Sequence, residues 1–248
     1  MAETELTGRV AIVSGSGRNI GRAIALVLAE AGAAVVVNAR TRRAEAEAVA
    51  REIEGRGGRA LVQLADVADA AAVERMVKAA AERFGRIDIL VNNAALRRET
   101  PLEKMNFAEW REITGSVLDG AFNCTKACLP HLKKSGAGVV VNIGGLSAHT
   151  GAKHRLHVVT AKAGLVGFTR ALAKDLAGDD VTVNLVSPGL IETPRTGAEP
   201  QHHQTHATLS GRRGAPADVA AMVRFLAGPG ARYITGQTIH VNGGAFLG

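Results

Sequence analysis

The sequence predicts a single α/β domain built on a parallel sheet with helices on both faces. Short strands that are apolar on both faces alternate with helical segments, as in sheets covered on both sides. With 46% hydrophobic residues in 248, the chain has enough apolar material for one sizeable core. No shift in composition marks a linker, and no short repeat or low-complexity tract interrupts residues 1–248.

Taken in order, the elements begin with Arg9–Val13, an apolar run that reads as a buried strand. Ile20 to Ala31 has apolar residues at helical spacing, and Ala34–Val37 is the second strand. A charged helix over Arg42–Glu54 precedes the strand Ala60–Val62. A helix over Ala70–Phe84 leads into the strand Ile87–Val91. One long helix over Trp110–Leu132 and the strand Val139–Ile143 follow. Val158–Leu176 reads as a helix, Val181–Val186 as a strand, Pro216–Ala227 as the last helix and Thr238–Val241 as the closing strand. That makes seven strands. The exception is Pro194–Arg213, rich in Pro, Gly and His with little periodicity, which reads as a flap over a substrate cleft.

Composition narrows the functions. The formal charge is +7, but aromatics are only 3% of residues and the arginines are scattered, so nucleic acid is not expected. Anionic small molecules suit such a balance better. No apolar run approaches the roughly 18 residues of a membrane span. The acidic start, Met1–Glu5, has no long apolar stretch behind it, and a cytoplasmic protein is expected. Cys124 and Cys128, four apart on one helix, suit a reduced pair. His203 and His206 with Glu199 do not complete a tetrahedral ligand set, so no metal is expected.

The first strand ends in Ser14-Gly15-Ser16-Gly17-Arg18-Asn19-Ile20-Gly21, and a helix begins at once. Glycines admit a pyrophosphate close to the backbone, and the helix start offers N–H groups and a positive dipole. At the end of the second strand, Asn38-Ala39-Arg40 holds no carboxylate for a ribose 2′-hydroxyl. Arg18, Arg40, Arg42 and Arg43 instead suit a 2′-phosphate, unless Arg42 and Arg43 are merely a solvated helix start. NADP(H) is therefore expected over NAD(H).

Five motifs carry a resemblance along the whole chain. They are Ser14–Gly21, Asp66-Val67, Asn92-Asn93-Ala94-Ala95, Pro188–Thr193 and Tyr233–Gly244. On these the chain resembles the short-chain dehydrogenase/reductase family, nearest its 3-oxoacyl-(acyl carrier protein) reductase branch. The resemblance implies a Rossmann fold and a cofactor site of Gly15, Gly17, Arg18, Asn19, Ile20, Gly21, Arg40, Asp66, Val67, Asn92, Ala94, Lys162, Pro188, Gly189, Ile191 and Thr193. Asn19 stands where the family's glycine motif has its middle Gly, and Asn tolerates left-handed backbone. The resemblance also implies a homotetramer formed through the long middle helices and the last strand.

That family typically sets Asn, Ser, Tyr and Lys in its active site. Here Lys162 matches the Lys, while Val158, Gly145 and Val117 fall on the Tyr, Ser and Asn positions. Valine neither donates nor accepts a proton. The chain's one tyrosine, Tyr233, belongs to the C-terminal motif. Two histidines are candidate replacements: His154, four residues before Val158 if the helix starts early, and His157 beside it. The alternative is that both are solvated residues at a helix start. Arg97 and Arg98, after the fourth strand, either receive a substrate carboxylate or phosphate or belong to a solvated loop.

Three readings follow: an oxidoreductase moving hydride to or from a carbonyl or alcohol carbon without the usual Tyr, a non-catalytic NADP(H)-binding sensor or oligomer partner, and a non-redox enzyme using the same cleft.

Overall fold

A computed structural model describes residues 4–193 and 208–248. Seven parallel strands form one sheet in the order β3-β2-β1-β4-β5-β6-β7. They are β1 (Val10–Val13), β2 (Ala34–Ala39), β3 (Arg59–Leu64), β4 (Ile89–Asn92), β5 (Gly138–Ile143), β6 (Val181–Pro188) and β7 (Thr238–Val241). The helices are α1 (Asn19–Glu30), α2 (Arg43–Gly55), α3 (Ala70–Phe84), α4 (Phe107–Thr114), α5 (Gly120–Lys134), α6 (Ser147–Thr150), α7 (Leu156–Asp175) and α8 (Pro216–Ala227).

The strand alternation divides the core. Ala11, Val13, Val35, Val37, Ile89 and Val91 turn to the face where α1, α2 and α8 bury Ile24, Val49 and Val223. Their neighbours Ile12, Val36 and Leu90 turn to the other face, against Met76 of α3 and Cys124, Cys128 and Leu132 of α5. This is why the strands read as apolar at every position: both pleat faces are covered. The two cysteines are free and buried, as expected, and burial pushes the Cys124 thiol up to about 12.

At the amino ends of the strands, Asp88 ties the layers. Its buried carboxylate accepts from the Val10 N–H at 2.9 Å, from Arg86 Nε at 2.9 and 3.0 Å and from Ser135 Oγ. Burial alone would raise the carboxyl pKa, but these donors outweigh it and hold it below the ordinary value.

The expected helix over Trp110–Leu132 is a longer run broken by a π-helical turn, Gly115–Asp119, between α4 and α5. Two local causes are visible. The Thr114 hydroxyl bonds back to Trp110 O at 2.8 Å. A Cβ on Gly120 would lie 2.6 Å from Val67 Cγ2, so this turn packs hard against the segment after β3. The short α6 and the 3₁₀ turns Leu102–Lys104 and Pro229–Ala231 carry too few residues for a periodic signal. Of the Pro194–Arg213 flap, residues 194–207 lie outside the described residues, and so do His203, His206 and Glu199. The end of that stretch is tied down: Arg212 pairs with Asp218 at 2.8 Å, and Ile191 bridges to Gly214.

Candidate active site

β1 has β2 on one side and β4 on the other, so the chain reverses direction of winding beside its carboxyl end. Open parallel sheets bind ligands at such a switch point. The Ser14–Gly21 turn and the Asn92–Ala94 segment meet there. Gly15 takes φ +62, and a Cβ on it would lie 2.9 Å from Ala94 Cα. A Cβ on Gly21 would lie 2.4 Å from Gly15 O and 2.5 Å from Asn93 Nδ2. The turn is therefore held against the Asn92–Ala94 segment at a spacing only glycine allows. Asn19 takes φ +51, the left-handed backbone expected of it, and Gly17 does not.

Ser14 Oγ and Asn38 lock this arrangement. Ser14 Oγ accepts from the N–H groups of Asn93 and Ala94, both at 3.0 Å. Asn38 Oδ1 accepts from Gly15 N at 3.0 Å, while its Nδ2 donates to Gln63 O and Ala65 O. Asn38 thus ties the glycine turn to the end of β3, a role sequence reasoning missed. Its signal was a polar residue inside an otherwise apolar strand. The first turn of α1 has no side-chain cap and no acidic residue, leaving its N–H groups to face an anion. Ile20 and Val67 pack inward beside it.

Two of the four arginines turn along α2. Arg42 pairs with Glu45 and Arg43 with Glu47 along α2, a solvated helix start. Arg18 is exposed at the entry to α1. Arg40 lies between two carboxylates, 3.8 Å from Asp66 and 3.5 Å from Glu112. The cause is electrostatic: Arg42 and Arg43 each have an acid one turn further along α2.

Lys162 is 3% exposed, and its Nζ donates to Ile143 O at the end of β5. Burial, followed by the fields of Arg97 and Arg155, pushes its ammonium down to about 7. Val158, one turn earlier on α7, is buried, as is Val117 in the π turn. A Cβ on Gly145 would meet nothing within 4 Å, so space stands open there. Asn92 donates to Asn142 Oδ1 at 2.9 Å, and its own buried Oδ1 has no partner among the described residues. Gly189 sits hard against Asn242, fixing the start of the Pro188–Thr193 loop, and Ile191 is buried within it.

The histidine expectations change. α7 begins at Leu156, with Arg155 preceding it. His154 takes φ +60 in the turn before, so it does not share the helix face of Val158 and Lys162. Its carbonyl accepts from Thr100 N at 2.7 Å. His157 is fully buried rather than solvated. Its Nε2 meets Glu109 Oε1 at 3.1 Å, and its Nδ1 accepts the Val158 N–H at 2.9 Å. Glu109 also accepts from Thr100 Oγ1 at 2.6 Å, and that hydroxyl is the first cause of its lowered pKa. Arg98 pairs with Glu112 at 2.7 Å.

No group of three or more His, Cys, Asp or Glu able to hold a metal occurs among the described residues. No helix among them is long and apolar enough to cross a membrane.

Comparison with known proteins fits this geometry. A family model described as enoyl-(acyl carrier protein) reductase matches residues 15–245. The chain is 42% identical over 248 residues to a 3-oxoacyl-(acyl-carrier-protein) reductase of Synechocystis sp., covering 98% of this chain and 99% of that one. It is 39% identical over 240 residues to such a reductase from Staphylococcus aureus, covering 96% and 98%. Among solved structures, a dehydrogenase/reductase from Sinorhizobium meliloti superposes with a TM-score of 0.93 at 35% identity, over 99% of this chain and 98% of that one. A short chain dehydrogenase from Burkholderia cenocepacia, solved in complex with NADP, gives 0.91 at 35% identity over 97% and 99%.

Proposed function

We propose, from the premise that this chain belongs to the short-chain dehydrogenase/reductase family, that it is an NADP(H)-dependent oxidoreductase working without the family's usual tyrosine. The observation that carries the reading is the glycine cradle. Gly15 and Gly21 leave no room for a Cβ beside Ala94 and Asn93, at the uncapped start of α1. The residues present fit the cofactor. The amides of Gly17 to Ile20 would hold its pyrophosphate, and Arg18 and Arg40 its 2′-phosphate. Asp66, whose carboxylate accepts from Ala68 N at 3.0 Å, and Val67 would meet the adenine. Asn92 and Lys162 would meet the nicotinamide ribose, and the Pro188–Thr193 loop would cover the ring.

When bound, the cofactor supplies or accepts a hydride at a carbonyl or alcohol carbon. The protein's part is to orient the substrate and manage a proton. Val158, Gly145 and Val117 stand where Tyr, Ser and Asn are expected and bring no titratable group. His157 has both ring nitrogens engaged, so it braces α4 against α7 rather than shuttling protons. Lys162, which donates to Ile143 O and whose ammonium burial pushes down to about 7, is the group that would exchange a proton near neutral pH, alone or through water. Loss of a dedicated acid costs about 10²–10⁴-fold, so turnover is slow.

The engaged nitrogens of His157 also favour a second reading, a non-catalytic NADP(H)-binding sensor or oligomer partner. The cytoplasm is the proposed location. A homotetramer is the proposed assembly, and half-exposed Phe122 on α5 and the exposed Tyr233 support it.

The test is direct. NADPH and NADH are titrated against the protein, and 340 nm absorbance is followed with ketones, aldehydes, alcohols and imines. We expect NADPH to bind at least about tenfold more tightly. Equal affinities overturn the cofactor assignment. Tight NADPH binding with no hydride consumed across the panel selects the non-catalytic reading, and net conversion at constant absorbance selects non-redox chemistry.

A further inference from the structure

We propose that the cavity between α7 and the edge strand β7 is a binding site for a flat aromatic carboxylate, separate from the cofactor cleft. β7 ends the strand order, so only β6 pairs with it among the described residues. Its Ile239 and Val241 pack into the α1, α2 and α8 layer, which leaves Thr238 and His240 on the α7 side. There they line a cavity of about 890 Å³, a volume that suits a small organic ligand.

The lining supplies a flat apolar surface and positive charge. His149 of α6 meets His240 edge-on, with ring centroids 4.6 Å apart, and Phe246 stacks on His149 at 5.4 Å. All three rings line the cavity, and Val166 and Ala173 of α7 line it too. Arg170 and Lys174, one turn apart on α7, line the same space and are exposed. Neither forms a salt bridge with a described residue. Among the described residues no Asp or Glu lines the cavity; Gly248 does, and neither cation pairs with it. Two cations without a local acid favour an anion, and the Arg170 guanidinium offers a carboxylate its forked donors.

A second observation points to a ligand at the same place. Among the described residues, four buried side-chain polar atoms have no hydrogen-bond partner, and three of them belong to this corner. They are His149 Nε2, His240 Nδ1 and Ser187 Oγ, and Ser187 is the register partner of His240 between β6 and β7. Native interiors rarely leave such atoms unpaired, so their grouping beside a cavity is informative. Burial lowers the pKa of both imidazoles, so each is neutral near pH 7 and has one N–H to donate. The last torsion of a histidine is soft, and a modest turn of either ring brings that donor to the cavity it lines.

The probes are 2-naphthoate, its neutral twin 2-naphthamide, and inorganic phosphate. Each is titrated calorimetrically into the full chain, with and without saturating NADPH. We expect 2-naphthoate to bind about tenfold or more tightly than either of the others, with NADPH present or absent. Arg170→Gln with Lys174→Gln should cut that preference to about threefold or less and leave NADPH affinity unchanged. Both side chains are exposed, so the double variant keeps its fold. Four results overturn the proposal. The amide or phosphate binds as well as the naphthoate; the preference survives the double variant; NADPH displaces the naphthoate, which places it in the cofactor cleft; or no naphthoate binds. In that last case, a double variant that sediments as a smaller species assigns the cavity to a contact between copies of the chain.

Discussion

His157 Nε2 lies 3.1 Å from Glu109 Oε1, and the same ring takes the Val158 N–H on Nδ1. One buried imidazole thus joins α4 to the first turn of α7, the helix that carries Lys162.

That brace predicts a split between stability and chemistry. His157→Ala removes a buried ring and leaves Glu109 with Thr100 alone, so it should cost about 2–4 kcal/mol. Glu109→Gln keeps an acceptor oxygen and should cost about 1 kcal/mol or less. Denaturant midpoints measure both. If His157 instead handles the proton, the pH profile of hydride transfer will lose an ionisation in the alanine variant.

The two glycines that sequence matching singles out should behave oppositely. Gly21→Ala forces a Cβ within 2.4 Å of Gly15 O, and should cost about 1–3 kcal/mol and weaken NADPH binding sharply. Gly145→Ser meets open space and should change stability by only about 0.5 kcal/mol. Thermal melts and NADPH titrations of both variants check the contrast.

Lys162 makes stability depend on pH in a known direction. Its folded pKa, about 7, is below the unfolded value near 10.5. Between these the unfolded chain binds more protons, so stability rises with pH, by at most about 1.4 kcal/mol per unit. Below pH 7 both states are protonated and the full burial penalty is present. Lys162→Met should flatten that slope, raise stability at pH 6 and weaken NADPH binding. Denaturation of the cofactor-free protein from pH 6 to 10 measures it.

Arg40 sits between Asp66 and Glu112 at the end of β2. Arg40→Glu would gather three carboxylates where a 2′-phosphate is proposed to lie. It should weaken NADPH by about tenfold or more while changing NADH much less. Parallel titrations of the two cofactors report the difference, and equal losses would place the 2′-phosphate elsewhere.

The fold was legible because covering a sheet on both faces leaves its strands uniformly apolar, and Ile12 beside Val13 shows two neighbours serving opposite layers. Glycines and Asn19 were legible because backbone conformation limits which residues fit. Side-chain pairing was not. Nothing in the spacing of Arg40, Asp66 and Glu112 says they meet, because they follow β2, follow β3 and sit on α4. The π turn at Gly115–Asp119 has the composition of an ordinary helix. His154 was misplaced for a local reason: a left-handed residue ended the helical register just before α7 could include it.

Asp88 fastens the rim of the sheet opposite the cleft, drawing on Val10, Arg86 and Ser135 and on nothing that would touch a ligand. Architecture and chemistry are thereby insulated from one another. A designer can rewrite Val117, Gly145 and Val158 as a set, grafting a new reaction onto one end, while the rivet at the other keeps the scaffold whole.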